Sequence, residues 1–164
     1  MILLGIDPGI AIVGYGLISL EGNRLKLLEY GHIETKAGTP TPDRLSTIYT
    51  EMREIIREFQ PEEMAIEELF FNKNVKTAIT VGQARGVEIL AGVTSGLRIY
   101  EYTPLQVKQA LVGYGRAEKH QVQEQVKLLL GMDRIPKPDD AADALAIAIC
   151  HSFTQKFKYL YEMK

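Results

Sequence analysis

Four acidic side chains from three separate segments have the chemistry to form a metal site. Asp7 ends an apolar N-terminal run, Glu67 lies in the apolar segment MAIEELFF, and Asp140 and Asp143 lie in PKPDDAADALAIAI. Four clustered carboxylates repel one another unless cations neutralise them. Oxygen ligands without histidine or cysteine favour Mg²⁺ or Mn²⁺, and a site of this charge suits two ions. Two ions can grip the attacking and the leaving oxygen in phosphodiester hydrolysis.

Each acid also has an ordinary structural explanation. Asp7 precedes Pro8-Gly9, and an aspartate in this position commonly begins a tight turn. Glu67 and Glu68 are neighbours on a predicted strand, so they point to opposite faces, and the pattern does not choose between them. Asp139, Asp140 and Asp143 open a predicted helix, where acids satisfy free amides. Asp140 and Asp143, three residues apart, share one helix face, which leaves Asp139 as the preferred cap.

Apolar patterning predicts the elements that position these acids. Continuous apolar runs and alternating segments predict strands over 1–7, 14–21, 25–35, 64–71 and 97–103. Spacing of 3.6 residues, Thr103-Pro104 and the flanking glycines predict helices over 43–59, 74–96, 104–113, 118–130 and from Asp139 onward. The order β-β-β-α-β-α-β-α-α-α predicts an α/β fold, with a mixed sheet flanked by helices. Asp7 then lies at the carboxyl edge of a buried strand, where sites in such sheets form.

Length and composition indicate one domain and an ordinary globular protein. The chain has 164 residues, of which 46% are hydrophobic and 24% charged. No apolar run approaches the ~20 residues needed to span a bilayer, so we expect no membrane partner. The segment MILLGID is expected to be a core strand and not a signal peptide. The single cysteine, Cys150, excludes an intramolecular disulfide and fits a buried thiol in the cytoplasm, and the three histidines lack zinc-ligand spacing.

The distribution of charge permits a local basic face on an acidic protein. The net charge of −2 argues by itself against a nucleic-acid binder. Residues 1–71 hold 6 lysines and arginines against 12 acids, whereas residues 72–134 hold 9 against 5. This asymmetry leaves two alternatives open, a basic face or scattered solvated side chains.

Taken together, the motifs GIDPG, AIEELFF, GQARGV, VKQALVGYGRAEKHQV and DDAADALAIAI resemble the RuvC family of bacterial crossover junction endodeoxyribonucleases, in order and spacing, over residues 2–150. The resemblance implies an RNase H-like mixed five-stranded sheet, a homodimer, and resolution of four-way (Holliday) DNA junctions by paired nicks. It also implies the RuvA–RuvB branch-migration complex as a partner. The family's metal-binding acids correspond to Asp7, Glu67, Asp140 and Asp143, and the resemblance favours Glu67 over Glu68. The expected cofactor is Mg²⁺, two ions per subunit, with Mn²⁺ as a substitute.

The same resemblance assigns catalytic or DNA-contacting roles to basic and aromatic residues. Lys108 and Lys119 are expected near the scissile phosphate, although a helical surface lysine is ordinarily just solvated. Phe70 is expected to stack on bases at the junction, beside Lys73 and Lys76. Arg85, in GQARG, is expected to contact DNA, and its apolar helix is expected to supply a dimer face.

Three other functions fit parts of the sequence. A nuclease acting on structured RNA would share the first strand. An actin-like sugar kinase or ATPase would use GIDPG around phosphates, but 164 residues are few for two lobes, and no second glycine-rich phosphate loop is present. A catalytically silent DNA-binding scaffold would not need all four acids.

Overall fold

The computed structural model describes residues 1–69 and 75–164, with side chains left undescribed at 75–77. Within these residues, five strands and five α-helices follow one another in the predicted order. The strands are β1 Ile2–Asp7, β2 Ile12–Glu21, β3 Arg24–Glu34, β4 Glu63–Glu67 and β5 Arg98–Tyr102. The helices are α1 Thr41–Phe59, α2 Val75–Thr94, α3 Pro104–Val112, α4 Lys119–Leu129 and α5 Asp139–Phe153, followed by a 3₁₀ helix at Gln155–Leu160.

The strands form one mixed sheet in the order β3-β2-β1-β4-β5. β1 pairs antiparallel with β2, which pairs antiparallel with β3, so the first three strands are a meander. β1 also pairs in parallel with β4, and β4 in parallel with β5. The predicted mixed five-stranded sheet flanked by helices is therefore confirmed. Because β1, β4 and β5 are parallel, their carboxyl ends meet at one edge of the sheet.

Helices cover both faces of the sheet, and strand alternation divides the core accordingly. On one face Leu3 and Ala65 pack with residues of α3, α4 and α5. On the other, Leu4, Ile6 and Ile66 pack with residues of α1 and α2. Burial on both faces explains why β1 and β4 are almost continuously apolar in sequence.

Helix α5 lies directly on β1 and β2 because glycines face it. A Cβ atom added to Gly5 would overlap the Ala144 carbonyl oxygen and lie 2.7 Å from the Ala148 nitrogen. A Cβ atom at Gly16, the residue paired with Gly5, would lie 2.7 Å from Leu145 Cδ2. One at Gly14 would overlap the Asp140 carbonyl oxygen. These three glycines, which we call the glycine track, let the helix backbone reach the sheet.

A buried polar network anchors the far end of α5. With its proton on Nε2, His151 donates to Glu63 Oε2 at 2.9 Å, and its Nδ1 accepts from the Tyr102 hydroxyl at 2.7 Å. Lys158 and Gln155, from the 3₁₀ helix, donate to the same Glu63 carboxylate. Burial acts to raise the pKa of Glu63, but the hydrogen bonds from His151, Lys158 and Gln155 lower it to about 2.

Several local predictions are confirmed and others are wrong. Thr103 caps α3 with a complete capping box, and Cys150 is buried. Strand β4, predicted to run to residue 71, ends at Glu67. Asp139 is not the cap of α5, because Pro138 holds the N-cap position and Asp139 is the first helical residue. Asp139 instead forms an ion pair with Lys137 at 2.7 Å.

None of the helices in the described part of the chain combines the length and the apolar character that a membrane span requires.

We predict that Gly5→Ala destabilises the protein by about 1–3 kcal/mol or more. The new methyl group would overlap the backbone of α5, which could give way only if the whole helix shifted. Urea denaturation of both proteins measures this difference in unfolding free energy.

Gly31→Ala in the same sheet is the matched control. The new methyl group would meet the tip of the Tyr15 side chain, 2.6 Å from its hydroxyl, and that side chain can rotate away. An equal loss of unfolding free energy in the two variants would contradict the importance of the glycine track.

Candidate metal and nucleic-acid site

The carboxyl ends of β1 and β4 bring two of the predicted acids to the face covered by α5. Alternation from Leu3 and Gly5 points Asp7 toward α5, and alternation from Ala65 does the same for Glu67. Glu68 follows the last residue of β4, where continued alternation directs its side chain to the opposite face. The structure thus supplies the criterion that sequence periodicity lacked for separating Glu67 from Glu68.

The first turn of α5 brings the other two acids to the same place. Asp7 pairs with Gly14 across β1 and β2, and the backbone of Asp140 lies on Gly14. The glycine track therefore seats the start of α5 beside Asp7. Asp143 lies one turn further along the helix, and its charge acts on both Asp7 and Glu67. All four predicted ligands therefore interact electrostatically at one end of the fold.

Burial and mutual repulsion disfavour the charged forms of these acids. Burial first, and then the charges of Glu67, Asp143 and Asp140, raise the pKa of Asp7 to about 8. Burial and the charge of Asp143 raise the pKa of Glu67 to about 7. Burial also raises the pKa of Asp143 above its ordinary value. Carboxyl groups in this condition gain from a cation more than solvated ones do.

Lys119 and Lys108 place positive charge beside the acids. The Lys119 Nζ lies 2.8 Å from Asp143 Oδ2 and 3.7 Å from Asp139 Oδ2. Burial acts to lower the pKa of Lys119, but its hydrogen bond with Asp143 and the nearby acids raise it. Both lysines, with Glu67 and Asp143, line a cleft of about 190 Å³. The other lining residues, all apolar, are Pro104, Val107, Val122, Ala146 and Ile147.

The chemistry and partial burial of these acids suit a hard divalent cation, although their side chains do not meet at one point. Across residues 1–69 and 75–164, no three acidic, histidine or cysteine side chains are close enough to hold a metal ion as they stand. The carboxylates repel one another, and Lys119 forms an ion pair with Asp143. The donor set contains only oxygens, which suits Mg²⁺ or Mn²⁺.

The predicted DNA-contacting residues are only partly within the described structure. Phe70 and Lys73 lie outside the described residues, as does the side chain of Lys76 on α2. Lys108 and Lys119 lie on the cleft wall beside Glu67. Arg85 is not displayed on the surface: its Nε–H donates to the Glu67 carbonyl oxygen at 3.0 Å, and its guanidinium pairs with Glu101.

Two further acids near the site, Glu88 and Glu101, were not singled out from the sequence. Glu101 lies on β5 and holds Arg85. Glu88 is fully buried on α2, and this burial raises its pKa well above the ordinary value; the Gly9 backbone acts to lower the pKa and the charge of Asp7 to raise it. The sequence could have indicated it, because Glu88 falls at helical spacing with Ala84 and Ala91, which are buried, in a largely apolar helix.

A groove of about 790 Å³ between α1 and α2 is larger than the cleft, but none of the predicted site residues lines it.

Comparison with known proteins decides the family. Residues 3–151 match the family described as crossover junction endodeoxyribonuclease RuvC. A protein of that name from Finegoldia magna is 66% identical over 164 residues, covering both chains completely. The chain belongs to the RuvC family. RuvC from Thermus thermophilus has the same fold, with a TM-score of 0.91 and 37% identity over 99% of this chain and 100% of that one. The predicted RNase H-like architecture is thereby confirmed.

A second structure of the Thermus thermophilus protein contains its Holliday junction substrate. It matches this chain with a TM-score of 0.91 and 35% identity, over 99% of this chain and 100% of that one. The RuvC fold therefore carries a junction-binding surface in that relative, and its agreement with this chain extends through the elements that hold the acids.

We predict that the metal-free protein loses stability as pH rises from about 4.5 to 8. Asp7 and Glu67 keep their protons to about pH 8 and 7 when folded but release them near pH 4 to 4.5 when unfolded. The folded state therefore binds more protons in this window, so the unfolding free energy falls with rising pH. Saturating Mg²⁺ should reverse the loss. Denaturant titrations with EDTA or Mg²⁺ at several pH values measure both effects.

Glu67→Gln and Glu68→Gln form the matched pair for this prediction. Glu67→Gln should stabilise the metal-free protein at pH 8 by about 1–3 kcal/mol, because it removes one repelling, half-buried charge. It should also weaken the response to Mg²⁺, whereas Glu68→Gln should change neither quantity. Metal-free stability that stays level or rises across this pH window would show that the acids do not repel as described.

Proposed function

We propose that this protein is a Mg²⁺-dependent endonuclease that resolves four-way DNA junctions by paired, symmetric nicks in recombination and repair. The observation that carries the proposal is the meeting of Asp7, Glu67, Asp140 and Asp143 at one end of a RuvC fold. Homologues named crossover junction endodeoxyribonuclease, and a relative's structure with its Holliday junction substrate, support the choice of DNA substrate.

Asp7, Glu67, Asp140 and Asp143 are the residues we propose to hold the cofactor. Two bound Mg²⁺ ions would supply Lewis acidity that activates an attacking water and stabilises the leaving 3′ oxygen. Asp7 and Glu67 are half-buried at the ends of β1 and β4, so the strand ends orient their carboxylates from one side of the site. The products would carry a 5′ phosphate and a 3′ hydroxyl.

Lys119 and Lys108 are proposed to bind the phosphate that is cut. Lys119 neutralises Asp143 in the free protein and lies in the same cleft as Glu67. An ammonium group in that position can donate to a phosphate oxygen and offset its charge. Lys108, on the same cleft wall, acts on Glu67 electrostatically, so its charge already reaches the site.

Further backbone and base contacts are proposed for Lys73, Lys76 and Phe70, which follow β4 directly in sequence. Lysine contacts to phosphates release counterions, so junction binding should weaken as salt rises. An aromatic side chain beside them can stack on unpaired bases at the branch point.

A homodimer is proposed through the outer face of α2. Ile79, Leu90 and Val93 are 59%, 51% and 54% exposed, and their spacing puts them on one side of the helix. A twofold axis through such a face would give two related sites, which suits two matched nicks on opposing strands. By family resemblance, the RuvA–RuvB complex is the proposed partner that delivers the junction.

We predict that Asp7→Asn reduces junction cleavage by several orders of magnitude, because it removes a carboxylate from the proposed metal site. Junction binding should persist or tighten, since one negative charge is lost from a surface that approaches phosphates. Single-turnover nicking of a mobile four-way junction with Mg²⁺, mapped on all four strands, measures cleavage. A gel-shift titration with Ca²⁺ measures binding without appreciable turnover.

Asp133→Asn, at an exposed acid outside the site, is the control for this variant. Wild-type cutting rates in Asp7→Asn would exclude the proposed site. Including a structured RNA in the assay separates the junction enzyme from an RNA nuclease of the same fold, because only the former spares the RNA.

We predict that Leu90→Lys converts the dimer to a monomer, because it places a charge within the proposed apolar contact. Leu128→Lys, on α4, is the matched control, since Leu128 is even more exposed. Analytical ultracentrifugation at several protein concentrations measures both variants. A dimer in both, with unchanged dissociation constants, would rule out the outer face of α2 as the contact.

A further inference from the structure

The inner face of α2 carries a buried charged group that reaches the end of β4. The Arg85 side chain is only 15% exposed. Its Nε–H donates to the Glu67 carbonyl oxygen at 3.0 Å, and a terminal nitrogen of its guanidinium pairs with Glu101 on β5. One side chain therefore joins a helix to two neighbouring strands at the edge where the acids meet.

The Glu67 carbonyl needs such a donor because the sheet stops there. The register of β1 with β4 ends at the Ile6–Ile66 pair, one residue before Glu67. On the β5 side, the Glu68 amide donates to the Tyr102 carbonyl oxygen at 2.8 Å. The backbone that carries the Glu67 carboxylate is thus held by β5 on one side and by Arg85 on the other.

Glu101 makes this contact specific to arginine. A guanidinium can donate in fixed directions to a carbonyl and a carboxylate together, whereas an ammonium is a point charge. With both acceptors supplied inside the fold and little exposed surface, Arg85 has no need of a phosphate to satisfy its charge.

A second ionisable residue of α2, Glu88, lies one turn further along the same inner face. Glu88 is fully buried, and neither of its oxygens makes a hydrogen bond of normal geometry to a described residue, although the Gly9 backbone lies close. Glu88 therefore packs against the turn that follows Asp7, while Arg85 holds the strand end that carries Glu67. Helix α2 contacts the backbone beside both acids.

We propose that Arg85, held by Glu101, is a positioning residue that fixes the backbone of Glu67 and so sets where this carboxylate stands relative to Asp7. The inference deepens the proposed function and rests on Glu67 being a metal ligand. It replaces the expectation that Arg85 contacts DNA with a role inside the protein. Partners that orient a metal ligand typically change metal affinity or activity 10–100-fold when removed.

The test uses Arg85→Gln, Arg85→Lys and Glu101→Gln in the full chain, with the hydrogen-exchange, binding and cleavage assays run below the unfolding temperature of each variant. The midpoint of Mg²⁺-dependent thermal stabilisation should rise about tenfold in Arg85→Gln and move the same way in Glu101→Gln. Arg85→Lys should not restore it. In metal-free protein, exchange of the Glu68 amide hydrogen should accelerate in Arg85→Gln while the β1–β2 amides stay protected.

Junction binding and cleavage separate positioning from direct DNA contact. Positioning predicts a lower single-turnover cleavage rate at saturating protein, with junction affinity in Ca²⁺ and its salt dependence unchanged. The double variant Arg85→Gln/Glu101→Gln should be no worse than Arg85→Gln alone, because the two residues act as one unit. Weaker junction binding with a reduced salt slope, and an unchanged Mg²⁺ midpoint, would overturn the proposal and assign Arg85 to a phosphate.

The Mg²⁺ and hydrogen-exchange measurements keep this inference separate from the proposed function. If the wild-type protein binds Mg²⁺ but does not cut junctions, the proposed function fails, and the shift in the Mg²⁺ midpoint still decides the role of Arg85. If junctions are cut and Arg85→Gln leaves both the midpoint and the cleavage rate unchanged, only the positioning role fails.

Discussion

The contact on which the rest of the structure depends is the seating of α5 on the glycine track. Gly5, Gly14 and Gly16 have no side chain between sheet and helix, so the helix backbone itself touches β1 and β2. Because Gly14 is paired with Asp7, this contact decides that the start of α5 lies beside the last residue of β1. A site assembled from strand ends and a helix start needs such a contact, since neither element alone fixes the distance between their carboxylates.

The two ends of α5 show opposite electrostatic conditions. At its C-terminal end His151 and Glu63 are buried together, and tyrosine, lysine and glutamine side chains complete the network, so the pKa of Glu63 is low. At its N-terminal end Asp143 shares a half-buried region with Asp7 and Glu67, whose pKa values are raised. The fold thus satisfies one buried acid with its own donors and leaves a group of acids short of positive charge at the other end. The first condition is typical of a structural network, and the second is typical of a site that binds a cation.

The sequence predicted the elements better than their contacts. Continuous apolar strands and 3.6-residue helices follow from local patterning, and capping chemistry placed the start of α3 correctly. The choice between Glu67 and Glu68 needed the face on which β4 packs, which depends on distant residues and came first from family resemblance. Asp139 was misassigned as a cap because capping preference ignores Pro138 before it and Lys137 beside it. The pairing of Arg85 with Glu101 joins residues on different elements, so no local pattern contains it.

In the proposed function, helix α2 would connect two requirements of a junction-resolving enzyme, a dimer contact and a fixed metal site. Its outer face exposes Ile79, Leu90 and Val93, the proposed dimer contact, while its inner face bears Arg85 and Glu88 against the strand ends near the acids. With one face on each of these surfaces, α2 would link the position of the proposed metal ligands to the position of the proposed twofold axis. Paired nicking needs this coupling, because the distance between two scissile phosphates is set by the DNA. In the proposed dimer, the precision of the second cut would therefore depend on how firmly α2 holds Glu67, through the hydrogen bond from Arg85 to the Glu67 carbonyl oxygen.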